Sequence, residues 1–80
     1  MLILMPKRSR IYSEDHKFLV ERLKEARRAA GLNQAEVAKR LKQTQSYVAK
    51  IESGQRRIDV IQLKEFARIY KRKMDWFIKK

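Results

Sequence analysis

The sequence predicts a compact all-α domain of five helices, and three observations carry that expectation. Apolar residues recur at three- and four-residue steps, and almost nowhere do they alternate as strands require. Punctuation is sparse, with two glycines and one proline in 80 residues. Hydrophobic residues make up 44% of the chain, which supplies one core, while a chain this short has little room for a second.

Residues 1–12 read as an arm that precedes the helical domain of 13–80. Met1-Leu2-Ile3-Leu4-Met5 is apolar but far too short for a membrane span or the core of a signal peptide. It is open to three readings: an added strand, a contact between copies, or an upstream start with Met5 as the true beginning. Pro6–Tyr12 carries Lys7, Arg8 and Arg10 without helical periodicity.

Ser13 caps the first helix, expected near 14–30, with Glu14 and Asp15 placed where the positive helix end favours acids. Leu19, Leu23, Ala26 and Ala30 form its apolar stripe, and Gly31 ends it in the left-handed conformation. Asn33 and Glu36 make a capping box for helix 2, about 34–41, whose apolar face is Val37, Ala38 and Leu41. After the short Lys42-Gln43 connection, Thr44 caps helix 3, about 45–52. Val48 and Ile51 are its only strongly apolar positions, so this helix buries a narrow edge. Ser53-Gly54 closes it, and Gln55-Arg56-Arg57 forms a basic loop. Asp59 and Gln62 make a second capping box for helix 4, about 60–70, with Val60, Leu63, Phe66, Ala67 and Tyr70 inward. Lys71-Arg72-Lys73 interrupts the pattern before a last short helix at about 75–79.

Charge narrows the function. Lysines and arginines number 21 against 9 acids, a net +12. So large an excess points to a polyanionic partner, with nucleic acid ahead of an anionic membrane surface. By segment the net charge is +3 for 1–13, +1 for 14–30, +4 for 31–58 and +4 for 59–80, so helix 1 contributes little. Basic and apolar residues spread over several helices argue against one amphipathic membrane helix. No cysteine is present, which removes thiolate metal sites and disulfides and fits a reducing cytoplasm. His16, the one histidine, is expected to be exposed, and no second ligand stands beside it for a metal. No nucleophile–base pair and no glycine-rich phosphate loop is visible, so the expectation is a protein that is not an enzyme and uses no cofactor.

Helices 2 and 3, joined by a tight turn, suit insertion of helix 3 into the major groove of double-stranded DNA. Gln45, Ser46, Ala49 and Lys50 are its candidate base-reading residues. Glutamine can pair with adenine, lysine can donate to guanine, and alanine is small enough to approach a thymine methyl.

Gly31-Leu32-Asn33-Gln34-Ala35-Glu36-Val37-Ala38, then Thr44-Gln45-Ser46, then Ile51-Glu52-Ser53-Gly54, resemble the phage-repressor family, lambda repressor and Cro, also called XRE-type. The resemblance runs over about residues 19–78. It implies a lambda-repressor-like DNA-binding domain, base reading by Gln45, Ser46 and Lys50, and a phosphate contact by Gln34, which also buttresses the recognition helix. It places Arg56 and Arg57 in a loop that approaches the DNA backbone. It pairs Arg27 with Glu52 in a partly buried structural salt bridge. Asn33, Thr44 and Tyr47 complete the candidate phosphate contacts. Two residues depart from the family pattern. Lys42 stands where glycine is common and must adopt a left-handed or strained backbone. Tyr47 stands where a small or hydroxyl residue is common, either touching a phosphate or shielding the core edge.

The ordinary alternative for each polar position is a solvated helix face, and it is the combination of turn, caps and charge that weighs against it. Trp76, Phe77 and Ile78 are core candidates, yet with Ile61 and Ile69 they also form a candidate dimer surface. The expectation is a homodimeric transcriptional regulator, a repressor, acting on a palindromic operator in the cytoplasm at the nucleoid. The rival is an antitoxin-type interaction protein whose main partner is another protein; a restriction–modification controller is a further variant of the DNA-binding class.

Overall fold

The computed structural model describes residues 13–80. The arm of residues 1–12, with its basic and apolar stretches, lies outside them.

The described residues form four α-helices and one 3₁₀ turn: α1 Glu14–Ala29, α2 Gln34–Leu41, α3 Gln45–Glu52, α4 Val60–Tyr70 and the turn Met74–Phe77. Each α-helix starts on a side chain that accepts the amide of the third helical residue: Ser13 from His16, Asn33 from Glu36, Thr44 from Tyr47 and Asp59 from Gln62. Glu36 and Gln62 reach back to the capping residue's own amide, which completes two capping boxes. Such a cap stabilises a helix by about 1 kcal/mol.

The four ends also follow one pattern. Just past each helix stands a left-handed residue: Gly31 (φ 73°), Lys42 (60°), Gly54 (83°) and Lys71 (57°). The amide of the following residue then reaches back across the last turn, as in Gln43 N–H to the Ala38 carbonyl at 2.9 Å and Arg72 N–H to that of Ala67 at 3.0 Å. This is the Schellman arrangement, which satisfies carbonyls the helix leaves open. Lysine takes this conformation at a cost of about 1–2 kcal/mol that glycine avoids. Lys42 thus has the left-handed backbone its position demands, and Lys71 is a second such case.

The helices enclose one core of Leu23 and Ala26 from α1, Val37 and Ala38 from α2, Val48 and Ile51 from α3, Leu63, Phe66, Ala67 and Tyr70 from α4, and Phe77. The described residues are all-α, as expected, with α2 and α3 packed closely across their short turn.

Three expectations change. The last helix is a single 3₁₀ turn at 74–77, because driving Phe77 fully into the core leaves only bonds such as Trp76 N–H to the Lys73 carbonyl. Val60, expected inside, is 65% exposed; with Ile61 it occupies the first turn of α4, which projects past the core that begins at Leu63. On α1 the buried stripe is Val20, Leu23 and Ala26, while Ala30 lies exposed beyond the helix end.

Candidate nucleic-acid interface

The site is built on α3. At 100° per residue, the buried Val48, Ile51 and Glu52 define its inner side. Ser46 and Lys50 then point away from the core, and both are exposed. Gln45 and Ala49 occupy one flank, and half-buried Tyr47 occupies the other. Ser53 follows Ser46 and Lys50 at i+7 and i+3, so it continues the outward stripe. Its hydroxyl donates to the Lys50 carbonyl at 3.1 Å. Ser53 is absent from the sequence-based set of candidate contacts, although its spacing from Ser46 places it on this face.

A buried polar network holds α3 in place. Glu52 is 4% exposed, and its carboxylate accepts from Arg27 Nε at 2.8 Å and from Gln34 Nε2 at 3.0 Å. Arg27 also donates through Nη1 to the Leu32 carbonyl at 3.0 Å. One carboxylate therefore joins α1, the α1–α2 loop and the start of α2 to the end of α3. The bond to Glu52 raises the Arg27 pKa above its ordinary value, against the effect of burial. Gln34 spends one of its two amide N–H donors on this buttress and keeps the other.

Asn33 and Thr44, both exposed, spend a side-chain acceptor on their own helices. The two loop arginines diverge. The Arg56 guanidinium lies over the Tyr47 ring, 4.9 Å from its centroid, which no sequence spacing foretold. Arg57 instead lines a cleft with Ser13, Asp15 and His16 at the start of α1 and with Ile58 and Phe77. Burial pushes the Tyr47 phenol up, and the Arg56 charge partly opposes it. His16, expected exposed, is half-buried, and its Nε2 has no hydrogen-bond partner among the described residues.

The candidate dimer surface is smaller than expected and shifted. Phe77 is fully buried and is withdrawn from it. Trp76 is half-buried, its ring engaged by the guanidinium groups of Arg22 at 4.4 Å and Arg72 at 4.1 Å. Ile69 is half-buried against the core. Ile61 and Ile78 remain, 63% and 51% exposed, and Val60 joins them. Among the described residues, no group of three or more His, Asp or Glu side chains is placed to hold a metal ion. No described helix is long and apolar enough to cross a membrane.

Comparison with known proteins bears on this arrangement. A family model described as helix-turn-helix matches residues 23–77, a span that includes α2, the turn, α3 and the Glu52 network. The chain belongs to the XRE-type helix-turn-helix family. A solved structure of an XRE-family like protein from Pseudomonas syringae pv. tomato str. DC3000 superposes with a TM-score of 0.77 at 36% sequence identity, covering 91% of this chain and 89% of that one. No curated protein matches the sequence. The XRE-type domain is the fold of a DNA-binding regulator and not that of an enzyme. The Arg27–Glu52–Gln34 network joins α3, the second helix of that helix-turn-helix, to α1 and α2.

Proposed function

We propose that this chain is a sequence-specific repressor that binds a palindromic operator as a homodimer in the cytoplasm. The observation that carries this reading is the face of α3, where Gln45, Ser46 and Lys50 stand exposed around the smaller Ala49 on a helix hydrogen-bonded from behind through Glu52. In the proposed complex Gln45, Ser46, Ala49 and Lys50 meet base edges. Asn33, Gln34, Thr44 and Arg56 meet phosphates, with the Tyr47 ring beneath Arg56, and these contacts position the protein and make its affinity salt-dependent. Arg57, turned toward the start of α1, is left out of the set. The two-fold protein matches half-sites about 34 Å apart, the geometry that belongs to the family's docking mode.

Selection from a random duplex pool at about physiological salt tests this, since purely electrostatic binding is suppressed there. The expected result is a palindrome with half-sites one DNA turn apart. Recovery of no motif, with binding that vanishes as salt rises, would reject sequence-specific regulation. The exposed Val60 and Ile61, adjacent on the first turn of α4, support a second reading, in which they hold a different protein in antitoxin fashion. A stoichiometric partner co-purifying from the native host, with no self-association of the isolated chain, is the outcome that would prefer it.

A further inference from the structure

Arg56 is unusually well placed for an exposed arginine on a loop. The amides of Gln55 and Arg56 both donate to the Lys50 carbonyl, at 3.0 and 3.2 Å, so the main chain here is tied to the end of α3. The side chain folds back along the helix to Tyr47, whose ring is half-buried and packed against the core. No ion pair among the described residues involves Arg56.

The geometry of a guanidinium makes this pairing useful. Its flat face interacts with an aromatic ring, while its hydrogen-bond donors all lie in the plane and point outward from the edge. With its central carbon 4.9 Å over the Tyr47 ring and no carboxylate partner among the described residues, the guanidinium keeps donors available for a phosphate, which arginine can grip through two parallel bonds. A long side chain loses considerable rotamer freedom when it binds, and one already resting on a ring has less to lose.

We propose that Tyr47 is a positioning residue for Arg56: its ring holds the guanidinium over the flank of α3, where its donors can reach one DNA phosphate. Tyr47 then acts through its ring and not through its hydroxyl. The inference rests on the DNA-binding reading above.

The test compares wild type with Tyr47→Phe, Tyr47→Leu, Arg56→Ala and the Tyr47→Leu/Arg56→Ala double variant. Without DNA, NMR should show the Arg56 side-chain protons shifted upfield by the ring in wild type and Tyr47→Phe, and the shift lost in Tyr47→Leu. With duplex DNA, Arg56→Ala should lower the slope of log affinity against log salt by about one. Tyr47→Leu should weaken binding roughly two- to fivefold, the scale of an exposed cation–π contact. Adding Arg56→Ala to Tyr47→Leu should cost less than it costs in wild type, and Tyr47→Phe should restore wild-type binding. Additive losses, an unchanged slope in Arg56→Ala, or equal damage from Tyr47→Phe and Tyr47→Leu would each overturn the proposal. Arg56→Ala and Tyr47→Phe alter an exposed side chain and one hydroxyl, so the result stands even if Tyr47→Leu fails to fold. Wild-type protein that binds no duplex at all would overturn the DNA-binding reading and this inference with it. Binding in which Arg56 acts independently of Tyr47 overturns this inference alone.

Discussion

Tyr70 shows how one side chain can carry a cost inside a sound core. It is 6% exposed, and its hydroxyl has no hydrogen-bond partner among the described residues. Leaving such a group unpaired costs about 1–3 kcal/mol, whereas the ring itself packs well. Tyr70→Phe should therefore stabilise the domain by about 1 kcal/mol, read from the midpoint of urea unfolding; lower stability would show that the hydroxyl is in fact satisfied. Burial pushes the phenol up, the nearby Glu52 charge adds to this, and Arg27 opposes it. An unfolded tyrosine releases its proton near pH ~10 while the folded one retains it, so the unfolded state binds fewer protons and stability falls as pH rises. Below that pH the contribution is fully present. Above it, wild type should lose stability faster than Tyr70→Phe, and parallel curves would refute the assignment. On the outer face, Lys50→Ala should relax base preference at one operator position and cost about 1–3 kcal/mol. Unchanged relative affinities across single-base operator variants would remove Lys50 from base reading.

At the scale of elements, α3 is held by two buried apolar side chains, Val48 and Ile51, and by one carboxylate. Eight residues are too few to be stable alone, so tertiary contacts must hold the helix. Its inward surface offers Val48, Ile51 and the Glu52 network. Removing one partner of a buried ion pair costs about 3–5 kcal/mol, because the other charge is left without compensation. Glu52→Ala strands Arg27 in this way and frees Gln34 from α3. It should lower stability by about that amount, and a thermal midpoint equal to wild type would contradict this. Replacing both partners, Arg27→Met with Glu52→Leu, should recover much of the loss, since apolar groups of similar volume leave no unpaired charge.

At the scale of the whole molecule, the exposed apolar residues and the large positive charge pull in opposite directions. A net +12 repels a second copy at low salt, while the adjacent Val60 and Ile61 on the first turn of α4 expose apolar side chains that gain from being covered. Self-association should therefore strengthen with salt, where screening weakens the repulsion. Ile61→Glu tests the surface with little risk to the fold, because Ile61 lies in the first turn of α4, where an acid favours the helix. Sedimentation should show wild type as a dimer and Ile61→Glu as a monomer. A wild type that stays monomeric at high concentration and salt would exclude this surface from a homodimer.

Local rules were enough to read most of the framework from the amino acids. Capping by Ser13, Asn33, Thr44 and Asp59, termination at Gly31 and Gly54, and the outward placement of Ser46 and Lys50 depend on residues a few positions apart. The order of the helices and the exposed side of α3 were legible for that reason. Family resemblance supplied the Arg27–Glu52 pairing, which spacing could not have found. Other features required the assembled core. Phe77 went inward and Val60 outward because the reach of the core beyond each helix end decides burial there, and periodicity ignores that limit. Gln34 joined Glu52, Arg56 turned back onto Tyr47 while Arg57 turned away, and Tyr70 lost any partner for its hydroxyl. Each of these joins or separates groups that are distant in sequence or lie on different elements. Caps and turns act within a turn of backbone, whereas such contacts exist only once the helices have packed.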